Sequence, residues 1–194
     1  MITIEPVTPD RWDDLERLFG ASGAYSGCWC TWWRLGSKEW EAAGSAGRRQ
    51  HLADVVERGD VPGLLAYDDG EPVGWVAVAP RDAYPRLNRS PHTKPVDDVP
   101  VWSITCFWIR REHRGRRIAT QLLEAAVEHA HRGGAEAIEG YPYDPATRSV
   151  TAADAFTGVL GPFFRTGFEE LARRTPTSRV VVRRRLGDPG QRDS

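Results

Sequence analysis

The most informative part of the chain is Trp102-Ser-Ile-Thr-Cys-Phe-Trp-Ile109, followed by Arg110-Arg-Glu-His-Arg-Gly-Arg-Arg117. The first segment is rich in β-branched and aromatic residues, a composition typical of a buried strand. The second is a basic turn that contains one glycine. Beyond it, apolar residues recur at the spacing of one helical face. This pattern stops at Gly133-Gly134, where glycine allows the left-handed conformation that ends many helices. Residues 137–142 then predict a second strand.

The chemically important point is the start of the predicted helix, near Arg116 to Thr120. The first amide groups of a helix have no partner within it, and the positive end of the helix dipole lies there. A basic turn between a strand and such a helix is suited to bind an anion such as a diphosphate. A solvated basic loop is the alternative interpretation. The position of the charge, between an apolar strand and an amphipathic helix, favours the anion site.

The six residues Arg114-Gly115-Arg116-Arg117-Ile118-Ala119 resemble the acetyl-CoA signature of the GNAT (GCN5-related) N-acetyltransferases, Gln/Arg-x-x-Gly-x-Gly/Ala. Arg114 fills the first position and Ala119 the last, whereas Arg117 stands where the family prefers glycine. The resemblance implies an α/β (α+β) fold with a mixed, mostly antiparallel central sheet flanked by helices. It also implies that a splayed pair of strands forms the acetyl-CoA site, and that acetyl transfer to an amine is direct.

The resemblance also relates the parts of acetyl-CoA to the chain. The diphosphate is expected at the helix-start amides, and the pantetheine arm along the edge of the first strand. The thioester oxygen requires a backbone donor, because negative charge develops there during transfer. The expected cofactor-binding residues are Phe107, Trp108, Ile109, Arg114, Gly115, Arg116, Arg117, Ile118, Ala119 and Thr120.

Composition limits the classes of function. The 194 residues hold 26 basic and 27 acidic side chains, a net charge of −1, which argues against nucleic acid as the main partner. No apolar run is long enough to predict a membrane span, and residues 1–6 do not resemble a signal peptide. Three cysteines in such a chain predict free thiols and a cytoplasmic protein.

Two cysteines and three tryptophans occur together in Cys28-Trp-Cys-Thr-Trp-Trp-Arg34. Half of a metal site is one interpretation, but no second Cys/His cluster completes the four ligands that zinc prefers, so no metal is expected. Core packing beneath the first helices and an aromatic wall of the acceptor site are the other interpretations, and both stay open. The expected acceptor-binding residues are Trp29, Trp32, Trp33, Tyr84 and Tyr143.

Five prolines interrupt the segment from Pro80 to Pro100, which therefore cannot form a regular strand or a long helix. Loops of this length are often functional. We expect this one to cover the acceptor site, with Arg81, Asp82 and Tyr84 nearest to the chemistry. An uninvolved surface insertion is the alternative.

The proton donor and acceptor are the least defined part of the predicted site. Many GNAT members use a tyrosine on a late helix to protonate the leaving thiolate, and the matching residue here is Phe163, which has no proton to donate. Glu139 and Tyr141 are the nearest candidates for base and acid, because alternation along the second strand places them on one face. The alternative is a solvated acid at Glu139 and a packing residue at Tyr141.

The sequence predicts one domain, residues 1–187, and a disordered tail, residues 188–194. The leading interpretation is an N-acetyltransferase that acts on a primary amine of a small molecule. A catalytically silent acyl-CoA-binding module is the alternative, because Phe163 replaces the family tyrosine. Nucleic-acid binding by the arginines of the last predicted strand is a third. GNAT members often form homodimers, and the sequence leaves this question open.

Overall fold

The computed structural model describes residues 1–151 and 154–187, where seven strands form one sheet in the order β1-β2-β3-β4-β5-β7-β6. Neighbouring strands are antiparallel except β4 and β5, which are parallel. The mixed, mostly antiparallel sheet predicted from the resemblance is therefore confirmed. The strands are β1 Ile2–Pro6, β2 Gly63–Asp68, β3 Glu71–Pro80, β4 Trp102–Ile109, β5 Ala137–Gly140, β6 Glu169–Arg173 and β7 Val180–Arg185.

Five α-helices connect and cover these strands in the described part of the chain. Gly44, with a φ of 59°, interrupts the second helix where glycines in the sequence predicted a break. None of the described helices has both the length and the apolarity needed to cross a membrane. The predicted tail, residues 188–194, lies outside the described residues. The helices are α1 Trp12–Phe19, α2 Ser37–Glu57, α3 Pro85–Arg89, α4 Ile118–Arg132 and α5 Leu160–Arg165.

Both faces of the central strands are buried. Successive side chains of a strand point to opposite faces. On β3, Val76 and Val78 pack in the core that contains the apolar face of α4, whereas Trp75 and Ala77 pack in the core that contains α1 and part of α2. The apolar residues of this strand are nearly continuous in sequence because helices cover both of its sides.

A β-bulge at Thr105 changes the alternation within β4. Val78 pairs with Ile104 and Ala77 pairs with Cys106, so Thr105 is an extra residue without a partner on β3. A bulge bends its strand and redirects the side chains beyond it. Ile104 therefore packs on the α4 side of the sheet, while Cys106, two residues later, packs on the α1 side.

The strands β4 and β5 separate directly after the bulge. Their parallel pairing extends only from Trp102 and Ile138 to Ile104 and Gly140. Among the described residues, no strand pairs with this edge of β4 from residue 105 to 109. A Cβ at Gly140 would come within 2.2 Å of the Phe163 ring, so glycine lets α5 pack closely where the strands diverge. This gap is the splayed strand pair that the resemblance predicts.

Candidate active site

The gap between β4 and β5 opens into a cavity of about 620 Å³. One part, which we call the turn end, is lined by the last residues of β4, by the basic turn and by the first turns of α4. The other, which we call the aromatic end, is lined by the loop after α1, by α2 and by residues before α5. The turn end comprises Phe107, Trp108, Ile109, Arg114, Ala119 and Leu123; the aromatic end comprises Tyr25, Ser26, Cys28, Cys30, Trp32, Trp33, Trp40 and Phe156.

Five consecutive backbone amides, from Gly115 to Ala119, are free beside the turn end, and Ala119 is the one of these residues that lines the cavity. Among the described residues no acceptor bonds them, and the first amides of the helix that do bond are those of Thr120 and Gln121, both to the carbonyl of Arg117. Gly115 has a φ of +79° and no other heavy atom within 4 Å of a Cβ placed on it. Free amides, open space and the adjacent Arg114 guanidinium together fit a bound diphosphate.

Arg117 adopts the left-handed helical conformation, with φ 61° and ψ 14°, at the residue before α4 begins. This is the position at which the GNAT signature prefers glycine. The left-handed region places the Cβ of an L-residue close to its own carbonyl, at a cost that glycine avoids. The chain therefore keeps the backbone geometry of the signature and bears some strain at a residue that is not glycine.

Replacing Arg117 with glycine should yield a protein about 1 kcal/mol more stable than the Arg117→Ala variant, because both changes remove the charge but only glycine removes the Cβ penalty. Equilibrium unfolding in urea measures the difference. An alanine variant as stable as the glycine variant would mean that residue 117 is not left-handed in solution.

Three thiols meet in the wall of the cavity. The sulfur atoms of Cys30 and Cys106 lie 3.0 Å apart, and Cys28 lines the same surface. Burial and the neighbouring Cys106 thiol raise the pKa of Cys30, and the neighbouring Cys30 thiol and burial raise the pKa of Cys28. Both thiols therefore stay protonated at neutral pH and behave as small apolar groups. In the described part of the chain, no cluster of three or more His, Cys, Asp or Glu residues is placed to hold a metal ion.

Glu139 and Tyr141 lie in a buried polar network outside the cavity. The Glu139 carboxylate accepts hydrogen bonds from Arg81 at 3.0 Å, from Arg183 at 2.6 and 3.0 Å, and from the Tyr141 hydroxyl at 3.0 Å. The Tyr141 hydroxyl also contacts Arg81 and Ser103. Both residues are at most 1% exposed, and neither lines the cavity. Burial and the Glu139 carboxylate raise the pKa of Tyr141, which makes its phenol a weaker acid.

The structure brings half of the predicted cofactor-binding residues to the cavity. Phe107, Trp108, Ile109, Arg114 and Ala119 line it. The other five form the turn and the first helical residues and do not line the cavity; Ile118, for example, is buried in the core. These five are Gly115, Arg116, Arg117, Ile118 and Thr120.

Only two of the five predicted acceptor-binding residues, Trp32 and Trp33, line the cavity. Trp29 packs instead against Trp12 and Phe19 beneath α1.

Tyr84 is fully buried, with its hydroxyl 3.4 Å from Arg34, and Tyr143 is covered by the stacked side chains of Arg148 and Arg179. No residue of the segment from 80 to 100 lines the cavity. Arg81 and Tyr84 point into the protein because each has a buried polar partner there.

Trp40, Phe156 and Phe163 line the cavity and were not predicted as binding residues. Trp40 and Phe156 lie 116 residues apart in the sequence, so no local pattern relates them. Of the three, only Phe163 could have been identified from the sequence as a site residue, because it occupies the position of the family tyrosine. Its ring contacts Phe107 edge-on, with centroids 6.0 Å apart.

Comparison with known proteins agrees with this architecture. None of the curated proteins matches the chain in sequence. Among solved structures, PaiA N-acetyltransferase from Thermoplasma acidophilum in complex with coenzyme A is similar at 12% identity and a TM-score of 0.52, covering 96% of this chain and 99% of that one. A GNAT-family acetyltransferase from Streptococcus agalactiae has 14% identity and a TM-score of 0.57, with 96% of each chain covered.

A third similar structure is a "histone acetyltransferase HPA2 and related acetyltransferase" from Corynebacterium glutamicum, with 20% identity, a TM-score of 0.55 and coverage of 98% and 99%. At these identities the likeness concerns the fold. The sequence model of the "Acetyltransferase (GNAT) family" matches residues 29–150, which include β4, the basic turn and α4. The chain therefore belongs to the GNAT acetyltransferase family, whose members use acetyl-CoA.

Proposed function

We propose that this protein transfers the acetyl group of acetyl-CoA to the primary amine of a small molecule by direct attack. The observation that carries the proposal is one continuous cavity. It extends from Arg114 and Ala119, on either side of the free amides of the basic turn, along the unpaired edge of β4 to the aromatic end. A donor bound at the turn end and an acceptor bound at the aromatic end would therefore meet beside β4.

The residues that would hold acetyl-CoA follow from this arrangement. The amides of residues 115–119 and the Arg114 guanidinium bind the diphosphate, and Arg116, Arg117, Ile118 and Thr120 contribute through the backbone that they position. The peptide groups of Phe107 to Ile109 bond the amides of the pantetheine arm. A backbone N–H of the same strand edge is the donor to the thioester oxygen.

Transfer forms a C–N bond, breaks the thioester C–S bond and moves one proton from nitrogen to sulfur. We assign the rate acceleration to orientation of the two reactants within the cavity. Glu139 and Tyr141 are the sequence-based candidates for proton transfer. Because their polar atoms are bonded to Arg81, Arg183 and Ser103, we assign them instead to the support of β5.

Two other functions compete with this one. A protein-tail acceptor is suggested by the name of the HPA2 relative, and an acidic groove would favour it. The described lining of the cavity is mostly apolar and contains no acid, which favours a small molecule. A catalytically silent acyl-CoA-binding module is favoured by Phe163, which cannot protonate the leaving thiolate. We also propose a reducing compartment such as the cytoplasm, because thiols 3.0 Å apart would join as a disulfide in an oxidising one.

Calorimetric titration with acetyl-CoA, together with a thiol-release assay across an amine panel, tests the proposal. Arg114→Ala should weaken acetyl-CoA binding about tenfold or more, the usual effect of losing a charged hydrogen bond. Gly115→Val should weaken it further, because a β-branched residue cannot readily adopt a φ of +79°. Arg58→Ala, an exposed change at the end of α2, is the control.

Unchanged affinity in both turn variants would overturn the cofactor site. Binding of acetyl-CoA without release of thiol in the presence of any amine would favour the silent module.

A further inference from the structure

We propose that the acceptor is a primary amine on an uncharged aromatic body, bound as the neutral free base; this inference rests on the proposed acetyl transfer. The aromatic end offers the rings of Trp32, Trp33, Trp40 and Phe156. Among the described residues that line the cavity there is no carboxylate, and the only charged side chain is Arg114, at the opposite end. Residues 152 and 153, outside the described part, are alanines in the sequence.

The charges directly behind the aromatic rings are positive. The guanidinium carbon of Arg48 lies 3.2 Å from the Trp40 ring centroid, and that of Arg86 lies 3.9 Å from the Trp32 ring centroid. Arg179 lies 5.2 Å from the Phe156 ring centroid. Arginines stacked on aromatic faces are held there by cation–π attraction.

None of these three arginines is paired with an acid in the described structure; their bonding partners are neutral. Arg48 donates to the carbonyls of Trp40 and Gly27, and Arg86 donates to the carbonyl of Leu35. Arg179 donates to the hydroxyl of Thr157. Glu41 acts on the charge of Arg86, and Asp154 acts on that of Arg179, without a salt bridge in either case. The positive charge of the three side chains is therefore only partly offset, and the remainder acts on whatever occupies the aromatic end.

This environment disfavours an ammonium group for two reasons. Removal from water penalises the charged form, and nearby like charge penalises it further, so both effects lower the pKa of a bound amine. The neutral nitrogen has the lone pair that attacks the thioester carbonyl. An acceptor that is an ammonium ion in water therefore loses a proton to the solvent when it binds. The aromatic end then needs no carboxylate base to deprotonate it.

The charge and the rings at the aromatic end also favour one kind of acceptor body. Polycations such as polyamines, aminoglycosides and lysine-rich peptides would bring several charges towards three arginines that have no salt bridge in the described structure. They would also find no carboxylate among the described residues that line the cavity. An aromatic ring instead packs edge-on or offset against the tryptophans and Phe156. Weakly basic arylamines are suited best, because they are already neutral at physiological pH.

Thiol release measured at equal concentrations of 4-methylaniline, tryptamine, spermidine and kanamycin tests the inference. The two aromatic amines should be acetylated with kcat/KM at least roughly a hundredfold above that of the polycations, equivalent to two pKa units of discrimination. For tryptamine, kcat/KM should rise about tenfold per pH unit between pH 7 and 9, following its free base, while the value for 4-methylaniline stays flat. Preference for a polycation, or a pH-independent rate with tryptamine, would overturn the inference.

Charge removal behind the rings gives a second test. Arg86→Gln and Arg179→Gln should each raise the ratio of kcat/KM for spermidine to that for 4-methylaniline by roughly tenfold, one pKa unit at the bound amine. Arg132→Gln, an exposed change at the last residue of α4, should leave the ratio unchanged. Constant ratios in both test variants contradict the inference.

The outcomes separate this inference from the proposed function. If acetyl-CoA binds and no amine releases thiol, the proposed function fails. Turnover confined to polycations retains acetyl transfer and overturns only the neutral aromatic acceptor.

Discussion

Replacement of Ala119 by tryptophan should weaken acetyl-CoA binding by at least roughly a hundredfold, about 2.8 kcal/mol. Ala119 is the second residue of α4, and its small side chain lines the turn end of the cavity. An indole at this position would fill the space between the free amides of the turn and the edge of β4. Closely packed surroundings cannot shift far enough to accommodate an added indole ring, so the ring would exclude the ligand from this position.

Calorimetric titration of the purified variant measures this effect. Glu128→Trp is the matched control, since it adds the same side chain to an exposed position on the same helix. The control should bind acetyl-CoA like the wild type. If Ala119→Trp also binds normally, the diphosphate does not lie at the start of α4.

Replacement of Glu139 by leucine should lower the free energy of unfolding by about 3–5 kcal/mol. The carboxylate is the shared partner of Arg81 and Arg183, two side chains that are themselves largely buried. Removing it leaves the buried Arg81 without a carboxylate partner, and Arg183 keeps only its bonds to Asp97. Glu139→Gln should cost less, because its amide oxygen can still accept one of these bonds.

Equilibrium unfolding in guanidinium chloride measures the loss, with Glu136→Gln as the control. Glu136 is exposed just before β5, so the control should change stability by less than about 0.5 kcal/mol. The sequence suggested a catalytic role for Glu139, and the same variants test it. A Glu139→Gln protein that is as stable as the wild type but transfers acetyl groups far more slowly would support catalysis and oppose the supporting role.

Much of the fold could be predicted from local patterns. The strand Trp102–Ile109 was predicted with its observed bounds, and the helix after the basic turn ends at Arg132, followed by the two glycines. Such elements are predictable because strand composition, helical spacing and glycine conformation act over a few residues. The hairpin of β2 and β3 has the Asp-Gly turn, with both turn residues at positive φ, for the same reason.

The site was less predictable, because its members are distant in sequence. Glu139 is bonded to Arg183, 44 residues away, and to Arg81, 58 residues away. Those bonds hold its carboxylate inside the protein. The alternation of side chains along a strand predicts which residues share a face, but it cannot predict such distant partners. Tyr84 and Trp29 were predicted to bind the acceptor because they are aromatic, but aromatic character is shared by core residues and binding residues.

Local patterns in the sequence were enough to identify the strand, the basic turn and the helix start, and with them the family and the cofactor. Tertiary structure decided where the strand side chains point, through the bulge at Thr105, and which aromatic residues close the cavity. The two kinds of feature differ in how far apart in the sequence the interacting residues are. Backbone conformation and hydrogen bonding at a turn are fixed by neighbouring residues, whereas the shape and charge of a cavity depend on packing between segments that only the folded chain brings together.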